Sequence, residues 1–297
     1  MSFTSDVKNE LSQTQFLTAA QKRAYAYGFL LFGKSFNSRS ISCATDYSCV
    51  IDSFSDIVSE VTGIEPIVSN LKSGKWVMKI PAASERKMVL ETFDHSINEI
   101  SLRVNHGNFE DEGCYGAFLR GAFMSCGSLS DPNKGYHLEF VVQHNKLSGD
   151  LLKILTDSSL SAKYILRKYS HVIYIKGSEN IEDLLTMMGA PNSSLQLMGI
   201  KVQKDVRNKI NRKMNFESAN MSRAIEAGLA QVEAIEIIEK KQGLDSLTDE
   251  LKELAVLRKE NPDMSLKELG AALSVPISRS GVNHRLEKLM SIAEKYR

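Results

Sequence analysis

Residues Leu119-Arg120-Gly121-Ala122-Phe123-Met124-Ser125-Cys126-Gly127 decide the fold. They read as a nonpolar helix that contains small residues and ends in glycine. A second stretch of the same design is Tyr25-Ala26-Tyr27-Gly28-Phe29-Leu30-Leu31-Phe32-Gly33, its terminal glycine lying 94 residues before Gly127. Small residues inside a helix permit close approach of a neighbouring helix, and a final glycine suits a left-handed C-terminal cap. Taken alone, the two stretches could be ordinary core helices.

The segments downstream of each stretch recur in one order, which argues for a repeat. Residues 63–80 and 160–175 each read as strand, polar turn, strand. A helical stretch precedes each hairpin. One is Asp52 to Thr62, with Phe54, Ile57, Val58 and Val61 at helical spacing; the other is Lys146 to Asp157, with Leu147, Leu151, Leu152 and Leu155. Further β-like stretches, Ser40–Thr45 and His137–Gln143, lie upstream of these. Each half is therefore helix, two strands, helix, two strands, helix. The expected fold class is α+β, an (αββαββα)2 domain over residues 1–198, with repeats of about 1–95 and 96–198, followed by an all-α region.

Both glycine-terminated helices resemble the LAGLIDADG motif of homing endonucleases. The second fits better, through Leu119, Gly121, Ala122, Phe123 and Gly127, with Asp131-Pro132 beyond. In the first, Tyr27 stands in the place of the motif's first glycine. In active members of that family, the resemblance implies, each motif helix ends with a carboxylate before the last glycine, and the two carboxylates hold divalent metal ions over the scissile phosphates. Here those positions are Phe32 and Cys126. A phenyl ring cannot bind Mg²⁺ and a thiol suits a hard cation poorly. The expectation is a nuclease-like fold with no catalytic residues.

Beyond Gly199 the composition changes. Residues 199–223 carry Lys201, Lys204, Arg207, Lys209, Arg212, Lys213 and Arg223 against Asp205 and Glu217, a local net of +5. Such a stretch can neutralise phosphates, or it is simply a solvated linker face. Ser218 to Lys241 then reads as one helix, giving a basic connector and helix over 199–243.

Residues 244–297 have the helix and loop sizes of a small helical module. Leu247 to Lys259 is a helix ended by Asn261-Pro262. Ser265-Leu266-Lys267-Glu268 is a capping box that opens a short helix, Leu266 to Leu273. Ser274–Ser278 is the turn, with Ser278 as N-cap of the last helix. That helix places Val282, Leu286, Leu289 and Ala293 on one stripe. The pattern is helix-turn-helix. Arg279, Ser280, Asn283 and His284 are the candidate readers of base edges, and Arg285 and Lys288 the candidate phosphate contacts, together with Arg207, Lys209, Arg212 and Lys213. A helical protein-interaction module has the same periodicity.

The whole chain resembles the WhiA family, bacterial DNA-binding regulators that join a degenerate LAGLIDADG domain to a C-terminal helix-turn-helix. The match runs through Ser2–Leu11, Phe118–Ser128, Arg207–Arg212, Glu217–Asn220, Ser265–Leu269 and Ile277–Leu286. The resemblance implies a sequence-specific binder of double-stranded promoter DNA. It implies roles in transcription regulation, cell division, chromosome segregation and, in spore formers, sporulation. A protein partner of the iron–sulfur WhiB type is implied only for actinobacterial relatives. Two other readings remain: a metal-dependent nuclease using Asp46, Asp111, Glu112 or Asp131, and an RNA- or protein-binding scaffold.

Composition excludes several classes. Hydrophobic residues make up 42% and charged residues 25% of 297, which are globular proportions. Lys and Arg number 37 against 36 acids, so only local charge can point to an electrostatic partner. No apolar run reaches the ~18 residues of a membrane span. The opening residues lack the pattern of a signal peptide, and a cytoplasmic, nucleoid-associated protein is expected. Cys43, Cys49, Cys114 and Cys126 form no Cys-x-x-Cys pair and the six histidines no His-x-x-x-His pair. Buried reduced thiols are expected, with no metal site and no cofactor.

Overall fold

The computed structural model describes residues 2–296, which fall in two compact units, Met1–Lys204 and Asp205–Arg297. The first unit opens with helix α1 (Phe3–Gln13), capped by the Ser2 hydroxyl on the Ser5 amide. One repeat comes next: α2 (Ala19–Leu31), β1 (Ser35–Phe36), β2 (Ile41–Thr45), α3 (Ser48–Thr62), β3 (Ile67–Asn70), β4 (Trp76–Ile80) and α4 (Ala83–Thr92). The second repeat is α5 (Gly113–Cys126), β5 (Gly127–Leu129), β6 (Leu138–Val142), α6 (Asn145–Asp157), β7 (Lys163–Arg167), β8 (Ser170–Ile175) and α7 (Ser178–Met188). The two sheets have the same antiparallel order, β1-β2-β4-β3 and β5-β6-β8-β7. This is the expected (αββαββα)2 architecture.

The glycine-terminated helices α2 and α5 form the centre of this unit. A Cβ at Gly28 would overlap the carbonyl oxygen of Phe118, and one at Gly121 the carbonyl oxygen of Tyr25. Each helix thus uses a glycine to bring its backbone onto the other's, and Tyr25, Phe29, Phe118 and Phe123 fill the space beside the contact, all at most 1% exposed. Tyr27, standing where the motif's first glycine would be, is buried with its ring against Phe93 and Phe118. Its hydroxyl accepts from the Asn105 amide at 2.7 Å and lies 2.8 Å from His95 Nε2.

The terminal glycines have a different purpose from the one their position suggests. Neither Gly33 nor Gly127 is left-handed; Gly127 is extended at φ −87°, ψ 148°. A Cβ at Gly33 would sit 2.8 Å from the Ser42 carbonyl oxygen, and one at Gly127 would strike the Phe123 ring and backbone. They are glycine because the chain turns tightly from helix into sheet. Left-handed glycine caps occur instead at Gly63 after α3 and Gly189 after α7, at φ 72° and 94°.

Helix α8 (Pro191–Gln242) is one continuous helix of 52 residues. The basic stretch 199–223 is therefore helical, where the composition alone suggested a separate connector with a helix beginning at Ser218. Residues 191–204 belong to the first unit and 205–242 to the second. Every residue from 205 to 227 is exposed. The second unit continues with α9 (Asp249–Glu260), α10 (Leu266–Ala272) and α11 (Arg279–Glu294). Its core joins Ala234, Ile235 and Ile238 of α8 to Leu251, Leu254, Leu269, Val282, Leu286, Leu289 and Ala293. No helix is long and apolar enough to cross a membrane among the described residues.

Candidate nucleic-acid interface

Local signals set the geometry of α10 and α11. The Ser265 hydroxyl accepts from the Glu268 amide at 3.3 Å and the Glu268 carboxylate accepts from the Ser265 amide at 2.9 Å, a complete capping box. The Ser278 hydroxyl accepts from the Gly281 amide at 3.2 Å and fixes the first turn of α11. The stripe Val282, Leu286, Leu289 and Ala293 is at most 2% exposed and seats the helix on its neighbours.

That seating leaves Arg279, Ser280, Asn283 and His284 exposed at the N-terminal end of α11. The Asn283 amide donates to Glu287 Oε1 at 2.8 Å, one helical turn on, which holds it along the exposed face. On the other flank Arg285 is half-buried and pairs with Glu250 of α9 at 2.9 Å. Its charge is thereby committed within the unit, whereas Lys288 is exposed. On α8, Arg207, Lys209, Arg212 and Lys213 are exposed, with Lys213 3.9 Å from Glu217 one turn away.

The pole formed by the C-terminal ends of α2 and α5 carries other chemistry. Phe32 is buried against Phe118. Cys126 is half-buried, and desolvation pushes its thiol up to about 12. Beside it, Cys43 is pushed up to about 11 by burial. Of the four thiols only Cys43 and Cys114 are fully buried; Cys49 and Cys126 are half-buried, and all four are unpaired.

The residue that sequence reasoning missed at this pole is Lys8. It projects from α1, is 4% exposed, and donates to the carbonyl oxygen of Met124 at 3.1 Å. Its ammonium also lies over the rings of Tyr47 (5.0 Å) and Phe123 (5.7 Å). Burial lowers its pKa to about 8. The Met124 carbonyl is one of those a helix C-terminus leaves without an intrahelical donor, so Lys8 caps α5 and complements its dipole. No spacing rule links positions 8 and 124. The only hint was a lysine on the buried stripe Phe3, Val7 and Leu11.

This pole does not suit a divalent ion. It presents a phenyl ring, a neutral thiol and an ammonium where two carboxylates would be needed. The other acids do not restore a site. Asp111 and Glu112 precede α5 at its opposite end, roughly 20 Å from Cys126 at 1.5 Å per residue, and Asp111 accepts from the Cys114 amide at 3.0 Å. Asp131 is a turn residue whose carboxylate accepts from the Asn133 backbone and side-chain amides at 2.9 and 3.1 Å, which lowers its pKa. Asp46 alone lies near the pole, exposed and 3.8 Å from Lys75. Among the described residues no three His, Cys, Asp or Glu side chains are grouped to hold a metal.

Comparison with known proteins agrees with both units. Residues 115–207 match the family described as the WhiA LAGLIDADG-like domain, and residues 210–293 the WhiA C-terminal HTH domain. A protein of Clostridium tetani named "Probable cell division protein WhiA" is 36% identical over 99% of this chain and 98% of its own length. One of the same name from Lachnospira eligens is 36% identical over 100% and 98%. The crystal structure of full-length DUF199/WhiA from Thermatoga maritima shares the fold, at 24% identity and a TM-score of 0.59 over 100% of this chain and 99% of that one. A degenerate two-repeat domain followed by a capped helix-turn-helix, with relatives matched end to end, places this chain in the WhiA family.

Proposed function

We propose that the protein is a sequence-specific binder of double-stranded DNA that regulates transcription at promoters, acts on the nucleoid and serves cell division. In this reading it also serves chromosome segregation, and sporulation where the host forms spores. The name of its relatives, "Probable cell division protein WhiA", supports the cellular role. The observation that carries the biochemical role is the N-terminal end of α11, where Arg279, Ser280, Asn283 and His284 stand exposed on a helix whose start and seat are fixed. Arg pairs with guanine O6 and N7 and Asn with adenine N6 and N7 in the major groove.

Labour divides along the chain in this reading. Residues 244–297 read sequence. The connector 199–243 supplies phosphate contacts through Arg207, Lys209, Arg212 and Lys213, which add affinity without sequence information. Lys288, and Arg285 once released from Glu250, do the same on α11. Residues 1–198 keep the nuclease-like fold without cleaving DNA, a conclusion supported by Phe32, Cys126 and the Lys8 ammonium. The test is to mix the full chain with sheared genomic DNA and an excess of total RNA, and to sequence the nucleic acid it retains. Recurrent enrichment of one duplex motif is expected. Retention of RNA in preference to DNA, or of DNA without a common motif, contradicts the proposal.

A further inference from the structure

Within the second unit, α8, the loop between α9 and α10, and the first turn of α11 enclose a groove of about 850 Å³. Gly228 makes the enclosure possible, since a Cβ there would sit 2.8 Å from the Pro262 carbonyl oxygen. The groove is lined by four cations, Arg223, Arg258, Lys267 and Arg279, against one carboxylate, Asp263. Asn220 and Asn283 stand on opposite walls.

Arg258 is the unusual member. It is 3% exposed, yet its hydrogen-bond partners are neutral: its Nε donates to Gln231 Oε1 at 2.8 Å and its Nη1 to the Met264 carbonyl oxygen at 2.5 Å. No carboxylate forms an ion pair with it among the described residues, and Asp263 acts on it only at longer range. A buried charge is ordinarily paired, because desolvating it alone is costly. Arg223, Lys267 and Arg279 are exposed and likewise hold no ion pair among the described residues. The groove thus sets four cations and one carboxylate among apolar walls that include Met221, Ile225, Met264 and Leu266, an excess of positive charge. It runs into the end of α11 that carries Arg279 and Asn283, so a polyanion bound to that end continues into it.

We propose that this groove seats the sugar–phosphate backbone of one DNA strand beside the bases that α11 reads, with Arg223 of α8 and Lys267 of α10 pairing with successive phosphates above the Arg258 guanidinium. The inference rests on α11 being the DNA-reading helix, and it assigns α8 a second wall of the binding site that the helix-turn-helix alone lacks.

The test uses the full chain and compares wild type with Arg223→Gln/Lys267→Gln. Both residues are exposed, so folding is retained, as circular dichroism checks. Lys240→Gln/Lys241→Gln, at the far end of α8 and outside the groove, is the charge-matched control. Binding to a fluorescent duplex carrying the selected motif, and to a scrambled duplex, is measured from 50 to 200 mM KCl. Loss of two phosphate contacts should flatten the slope of log affinity against log salt by roughly 1.8 and weaken both duplexes by one to two orders of magnitude. The motif returned from a random library should be unchanged, and the control should keep the wild-type slope. A wild-type slope in the groove variant while wild type binds DNA overturns the groove and leaves α11 as reader. So does an equal loss in the control, or a loss confined to one sequence. Failure of wild type to bind any duplex overturns both readings.

Discussion

Replacing Lys8 by methionine tests the buried cation at the degenerate pole. In the folded protein its pKa falls from 10.5 to about 8 because burial disfavours the ammonium. That difference corresponds to about 3 kcal/mol between the two protonation states. Between pH 8 and 10.5 the unfolded chain retains a proton that the folded chain has released. This group's contribution to stability therefore rises with pH by about 1.4 kcal/mol per unit and is lost as pH falls back through 8. Cys43 and Cys126, at about 11 and about 12 when folded, stay protonated in both proteins over pH 7–9.5, and their effects cancel in the difference. Trp76, the single tryptophan, lies in β4 and reports on the first unit alone. Urea unfolding followed by its fluorescence should show the stability of wild type minus Lys8→Met rising by about 2 kcal/mol from pH 8 to 9.5. Methionine also leaves the Met124 carbonyl without its donor, at a cost of about 1–3 kcal/mol that does not vary with pH. A pH-independent difference would mean that Lys8 is solvated, and would refute its role as the cation at this pole.

Three further outcomes are expected from the same geometry. Gly121→Ala should destabilise the first unit by about 1–3 kcal/mol through overpacking against Tyr25, although the same change in an exposed helix would stabilise it by up to ~1 kcal/mol; a Trp76-detected melt decides between them. Replacing Arg207, Lys209 and Arg212 by Ala should weaken binding to every duplex alike and flatten the salt slope by roughly 2.7, and an effect on one sequence only would count against phosphate contact. Supercoiled plasmid incubated with the protein and Mg²⁺ should stay intact, and nicking that disappears on mutating Asp46 or Asp131 would show that other carboxylates rebuilt a metal site.

Much of the fold was legible because its signals are local. Two glycine-ended apolar helices with matching downstream order give the repeat. A Ser-x-x-Glu box, a Ser N-cap and one apolar stripe give α10 and α11 nearly to the residue. The two-residue strand β1 and three-residue β5 were expected from the repeat but could not be placed by residue, since they are too short to show alternation and exist through pairing with β2 and β6. The reason for Gly33 and Gly127 was misread, because close approach and left-handed φ leave the same letter in the sequence. The continuity of α8 was masked by its basic composition, although Val202, Val206, Ile210, Met214, Met221, Ile225 and Leu229 recur at helical spacing along it; that stripe is exposed, so no packing partner within the unit marks it. Lys8 and Arg258 were invisible as site residues, since each owes its environment to partners 116 and 27 positions away.

The central claim is that α11 reads sequence, and selection from a random duplex library tests it most directly. Wild type, Arg279→Ala and Asn283→Ala are compared as full chains, with circular dichroism to confirm folding. Leu286→Ala serves as the destabilised reference, losing about 2–5 kcal/mol of core packing. Each of the two surface variants should return the wild-type motif relaxed at particular base positions, with a discrimination loss of about 1–3 kcal/mol at each. If both return the wild-type motif at wild-type affinity, α11 is not the reader and the claim fails.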